Sequence, residues 1–243
     1  MKWLCKILFP TAFIFGVFTA AAQEYSNSGF PISTKANSVN YKLTGRRYYF
    51  NASLSGPPYV YNGWQKGSVL LENGDRYDNL YLQFNTLTED LIWFNSRIGC
   101  IVALDKFIIR EFILDSANKN TSLFRKINSD TPPNGEHYYN VLYDGKMKLL
   151  RWYRTIEINT AESNTRGDPW NSRYSLDSRF FLVFPDGVRN SIKGNRSSLV
   201  DSFPEQKKTV RRILRKNKIK LKGKNAAELT RAVKLLDAEF YAD

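Results

Sequence analysis

The residues that could do chemistry are few: a single histidine, two cysteines and a scatter of carboxylates. His137 would need a nucleophile beside it to act as a general base, and no Gly-x-Ser-x-Gly elbow presents a serine. Cys100 is the one thiol to consider as its partner. It lies in the apolar run Ile98-Gly-Cys-Ile-Val-Ala-Leu104 and reads as a small core hydrophobe rather than a nucleophile. One His and one Cys cannot build an ordinary zinc site. EF-hand, phosphate-loop and dinucleotide patterns are missing too, so no cofactor is expected. Glu89, Asp90, Glu157, Glu162 and Asp168 are candidates for the paired carboxylates of glycoside hydrolysis, with Trp152, Tyr153 and Trp170 as sugar platforms. No spacing singles out two of them, and no catalytic or metal-binding residue is assigned.

The feature that stands out is basic. Lys207–Lys224 holds ten cations in eighteen residues and no acid. Val210, Ile213 and Leu214 recur at spacings of three and four, which predicts an amphipathic helix from Glu205 to about Asn217. One reading is a solvated helix face. The other is electrostatic docking onto anionic headgroups, polyanionic polysaccharide or an acidic envelope protein, through Lys207, Lys208, Arg211, Arg212, Arg215 and Lys216. A second, aromatic feature gathers Tyr59, Tyr61 and Trp64 after Pro57-Pro58. Such clusters mostly rim a β-core, but Trp64 and Trp170 could also stack a sugar ring.

Most of the chain must form a scaffold for these groups, and its pattern is antiparallel β. Asn73-Gly74 separates two β-prone runs and predicts a type I′ hairpin, with φ > 0 at both residues. Leu80, Leu82 and Phe84 alternate with Tyr81 and Gln83, giving one apolar face. A reversal over Asn85–Asp90 leads into Leu91–Phe94. Strands follow at Cys100–Leu104, Phe107–Leu114 and Leu123–Ile127. Large residues on both sides of Leu91–Phe94 and Ile108–Leu114 predict cover on two faces. Further hairpins turn at Asp144-Gly145 and at Pro185-Asp186-Gly187. Tyr48-Tyr49-Phe50 is a possible additional strand.

The pattern becomes helical at Gly194. A short helix over Arg196–Phe203 ends at Pro204, and the basic helix follows. A last helix starts at Asn225, with Glu228 completing a capping box and Leu229, Val233, Leu236 and Phe240 on one face. These helices are expected to pack on the outer face of the sheet.

The first residues read as an export signal. Lys2 and Lys6 precede an apolar stretch over Ile7–Phe18, and Ala20-Ala21-Ala22 offers a cleavage site. Cleavage after Ala22 leaves 221 of 243 residues, enough for one large domain. It also leaves Cys100 as the only cysteine, so no intrachain disulfide forms. An exported chain without disulfides suits a bacterial envelope. No later run is long and apolar enough for a membrane-spanning helix. The net charge is +13, or +11 once Lys2 and Lys6 are removed, which favours anionic partners. Export makes nucleic acid the least suitable of them.

Four stretches carry a resemblance: the exit Ala20-Ala-Ala-Gln-Glu24, Trp64–Gly74, Tyr138–Leu150 and Lys193–Lys208. Together they resemble uncharacterised secreted proteins of the Bacteroidota, from about Trp64 to the C-terminus. The resemblance implies a periplasmic or outer-membrane-associated setting.

The expectation is a cleaved signal peptide over residues 1–22, a loose arm over 23–47, and a mainly antiparallel β domain over 48–193. That domain is roll- or barrel-like or a sandwich, and a basic helical cap over 194–243 closes the chain. The function expected is a non-enzymatic envelope component, an accessory or binding subunit. The alternative is a carbohydrate-binding or glycan-active protein using exposed aromatics.

Overall fold

A computed structural model describes residues 43–49, 58–115, 121–160, 171–223 and 225–241. The first half of the sheet comprises β1 (Gly45–Arg47), β2 (Gln65–Leu71), β3 (Arg76–Asn85), β4 (Asp90–Asn95), β5 (Cys100–Leu104) and β6 (Ile109–Asp115). The second comprises β7 (Thr121–Ser129), β8 (Gly135–Asp144), β9 (Lys148–Thr160), β10 (Asn171–Val183) and β11 (Arg189–Ile192). Three helices follow: α1 (Arg196–Asp201), α2 (Lys207–Lys216) and α3 (Ala226–Tyr241). All strands of the described residues join one antiparallel sheet in the order β1-β5-β4-β3-β2-β6-β7-β8-β9-β10-β11. The chain is therefore mainly β with a C-terminal helical cap.

The sheet is rolled, and a short link shows why. β5 and β6 are joined by only Asp105–Ile108, yet four strand spacings separate them in the sheet order. On a flat sheet that is about 19 Å. The five steps from Leu104 to Ile109 reach at most about 18 Å, with nothing spare to cross a face. Curling removes the gap, and Leu104, Ile109 and Val69 meet in one core. The roll also brings β9 back to the β3–β4 turn. There the Thr155 amide donates to the Thr86 carbonyl at 3.4 Å, and the two threonine hydroxyls lie 2.7 Å apart. The first and last strands of the order do not pair, so the sheet stays open.

Aromatic rings fill the roll. Phe84 and Phe124 lie 5.4 Å apart, Phe112 stacks on Phe124 at 4.8 Å, and Tyr138 meets Phe112 edge-on at 5.1 Å. Burial pushes the Tyr138 hydroxyl pKa well up, and that hydroxyl donates to the Ile109 carbonyl.

The helices pack on the face that continues the interior of the roll, not on the outer face as expected. Leu149, Phe180 and Leu182 meet Leu199, Val210, Leu214 and Leu236 there. Along β9, Leu149 shares its face with Tyr153, which belongs to the aromatic core. The opposite face of β8–β10 keeps a small cluster of its own, Tyr139, Leu150 and Phe181. α1 is capped by Asn195, whose side chain accepts from the Ser198 amide at 2.9 Å. Asn225 Oδ1 accepts from the amides of Ala227 and Glu228 at the start of α3.

Several local readings need correction. Gly74 has φ +88°, but Asn73 is not in the left-handed region. The Gly74 amide donates to the Leu71 carbonyl and the Leu71 amide to the Asp75 carbonyl. This is a three-residue loop, a turn followed by a left-handed glycine, not a type I′ pair. Phe184–Val188 repeats it around Gly187. The first strand among the described residues is Gly45–Arg47, inside the stretch read as a loose arm. Tyr48 only extends its pairing, through one hydrogen bond to Ile101. The signal segment, residues 23–42 of the arm and residues 116–120 lie outside the described residues. No helix among the described residues is long and apolar enough to cross a membrane.

Candidate functional site

α2 separates its residues by face. Val210, Ile213 and Leu214 are buried against the sheet and the other helices. Lys208, Arg211, Arg212, Arg215 and Lys216 are all exposed. Their spacing of i, i+3, i+4, i+7 and i+8 sets them on one stripe. A shallow depression of about 500 Å³ runs between these five side chains. None of the five has an acidic partner within 4.0 Å in the ion pairs of the described residues. Lys207 is diverted: its Nζ lies 3.1 Å from Asp201 Oδ1, and that hydrogen bond holds the Asp201 carboxyl below its usual range. Five of the six basic residues picked from the sequence thus form one surface.

The placement of these cations is not the one helix stability favours. Arg215 and Lys216 sit in the last turn, where a positive charge complements the helix dipole. Lys207 and Lys208 open the first turn, where it opposes the dipole. The first turn has no acid, and Gln206 makes no side-chain cap. Lys207 is answered by Asp201, but a helix selected only to be solvated gains nothing from Lys208 at that end. The apolar face fixes α2 to the domain, so the stripe is presented on a rigid support.

The other residues singled out from the sequence are dispersed. Trp64 is half-buried and packs its ring on Phe94 at 5.7 Å. Trp170, Glu162 and Asp168 lie outside the described residues, and Glu157 is placed only as a residue of β9. Cys100 is half-buried at the start of β5, opposite Asn95. His137 is in β8 with other partners, so the two do not form a thiol–imidazole pair.

His137 instead joins Glu89, which sequence reasoning had treated separately. Glu89 Oε1 accepts from His137 Nδ1 at 2.8 Å and from Trp152 Nε1 at 3.0 Å, and Oε2 accepts from Lys106 Nζ at 2.7 Å. His137 Nε2 faces the Asn134 carbonyl at 2.9 Å. Both ring nitrogens therefore face oxygen atoms. Glu89 holds a left-handed backbone, φ 54°, to reach this position. The cluster ties the β3–β4 turn, the β5–β6 link, β8 and β9 across the end of the roll. The neighbouring Asp90 pairs with Arg46 at 2.9 Å. The two adjacent carboxylates thus serve different cations. Among the described residues, no three His, Cys, Asp or Glu side chains come together as a metal site.

One feature had no sequence signal. Arg189 lies over the Phe181 ring at 3.9 Å and the Tyr139 ring at 4.6 Å, and its Nη2 donates to the Tyr139 hydroxyl at 2.6 Å. It borders a groove of about 790 Å³ on the face away from the helices. Only the register of β10 with β11, where Arg189 stands opposite Val183, brings these residues together.

No family model, curated protein or solved structure matches the chain.

Proposed function

We propose that this is a non-enzymatic, exported component of a bacterial cell envelope, which docks on an anionic surface through α2. The observation that carries the reading is the stripe Lys208, Arg211, Arg212, Arg215 and Lys216, exposed together on a helix whose opposite face is locked into the core. Each such cation near an anionic membrane contributes about 1 kcal/mol. The net charge of the chain without its signal residues, +11, acts in the same direction at longer range. The export signal read over residues 1–22 and the resemblance to secreted Bacteroidota proteins supply the setting. The rolled sheet is then the body that α2 tethers, and an envelope protein with an acidic patch would meet the same stripe.

Cell fractionation tests the setting and the docking together. The full chain is expected in the envelope fraction, released by salt. The charge-reversed variant R211E/R212E/R215E is expected in the soluble exported fraction. A wild-type chain that remains in the cytoplasm, or that is exported but soluble at low salt, contradicts the reading.

A further inference from the structure

The groove beside Arg189 has the chemistry of a small-molecule site, and it is separate from α2. Its volume of about 790 Å³ falls within the roughly 300–1,000 Å³ of ligand pockets. One part of its lining is aliphatic: Ile127, Leu150, Val183 and Val188. Ile127, Leu150 and Val183 belong to the outer-face cluster that the helices leave uncovered. The other part is cationic. Arg125, Lys146, Lys148 and Arg189 line it, against one acid, Asp130.

Two of these cations have donors to spare. Arg189 Nε and Nη1 are both buried without a hydrogen-bond partner, while the rings and the Tyr139 hydroxyl fix the guanidinium in place. Buried donors are rarely left unanswered, and an orphaned pair on a groove wall points to an acceptor that is not part of the protein. Lys148 reaches Asp144 only at 3.4 Å and is 46% exposed. Arg125, by contrast, is already held by Glu111 at 3.0 Å and Asp144 at 2.8 Å.

We propose that this groove binds single-chain anionic amphiphiles, with a carboxylate or phosphate head on an unbranched aliphatic body. The head sits at the Arg189–Lys148 end, where the unpartnered guanidinium donors and the exposed Lys148 ammonium lie along one wall. The aliphatic body lies along Ile127, Val183 and Val188, above the buried Leu150, covering apolar surface that the fold leaves partly in water. Charge complementarity selects the head and the aliphatic wall selects the body.

Calorimetric titration of the purified chain tests this, with four probes kept below any micelle concentration: dodecanoate, dodecyl phosphate, dodecanol and acetate. The two amphiphilic anions should bind saturably at one site, with dodecanol and acetate at least tenfold weaker. Val188 is 51% exposed, so Val188→Asp should keep the fold while placing a like charge beside the ligand. It and Lys148→Glu should each weaken anion binding at least tenfold, with an unchanged thermal midpoint for Val188→Asp. Arg189→Gln should do the same if it folds. R211E/R212E/R215E should bind dodecanoate as the wild type does, which separates this site from α2. Equal affinity for dodecanol, unchanged affinity in both V188D and K148E, loss of binding in the α2 variant, or no saturable binding would overturn the proposal.

Discussion

The carboxylate of Asp237, on α3, accepts the backbone N–H of Met147 at 2.7 Å, just before β9 begins. The same buried side chain accepts from the Lys146 amide at 3.1 Å and from the Tyr143 hydroxyl at 2.8 Å. That last bond raises the Tyr143 hydroxyl pKa above its ordinary value. One acid thus fastens the last helix to the β8–β9 turn, and with it the basic tail to the sheet. Asp237→Ala leaves three donors without their acceptor, and hydrogen bonds to a charged group are each worth about 1.5–3 kcal/mol. The variant should lose about 3–5 kcal/mol in urea unfolding, a magnitude typical of breaking a buried charged network. A loss below about 1 kcal/mol would contradict this role.

Gly145 is shaped by the same contact. A Cβ there would overlap Asp237 Oδ2 and Tyr143 Oη. Gly145→Ala must displace an acid that three bonds hold, and overpacking of this kind costs about 1–3 kcal/mol. In the double variant with Asp237→Ala the carboxylate part of the obstruction is gone, and the Tyr143 ring, no longer tied to the acid, is free to shift. The two losses should therefore sum to more than the double variant shows, as residues in contact do not add. Strict additivity in a double-mutant cycle would contradict the argument.

Glu89 closes the end of the roll. Glu89→Gln puts an amide where Lys106 Nζ, His137 and Trp152 all donate, so at least one donor loses its partner. With the carboxylate side chain 12% exposed, we expect about 2–3 kcal/mol of destabilisation. Trp152 fluorescence should shift as its indole N–H is released. A wild-type urea midpoint together with an unchanged emission spectrum would show the cluster to be dispensable.

Acid sensitivity should appear at Asp144. The hydrogen bond from Arg125 holds its carboxyl below the usual range, and Lys148 adds to this. A folded-state pKa below the unfolded one contributes stability that is present above the unfolded pKa. That contribution is lost as pH falls through the lowered folded value. Asp144→Asn should therefore be less stable than wild type at pH 7, and the two should converge as pH falls from the unfolded value through the lowered folded one. A constant stability difference across that range would contradict the assignment.

How much of this was legible in sequence depends on range. Leu80, Leu82 and Phe84 declare a strand locally, and Val210, Ile213 and Leu214 declare the helix that carries the stripe. Hairpin positions were legible too. The turn type at Asn73-Gly74 was not, because the loop length is set by the register of Leu71 against Asp75 rather than by the dipeptide. The choice of face for the helices was hidden for a related reason. Leu149 and Leu150 are equally apolar, and only the roll decides which one turns toward the interior. Glu89 with His137 is a contact across 48 residues, and Arg189 with Tyr139 one across 50. No local period records either of them.

The central claim, docking through α2, is tested most directly by sedimentation with vesicles containing anionic phosphatidylglycerol or only neutral lipid, across a salt series. Wild-type protein should bind the anionic vesicles at low salt, release as salt rises, and ignore the neutral ones. R211E/R212E/R215E, with an unchanged thermal midpoint, should bind at least tenfold more weakly and lose most of the salt dependence. Equal binding by both proteins, or wild-type binding that salt does not weaken, would contradict the account.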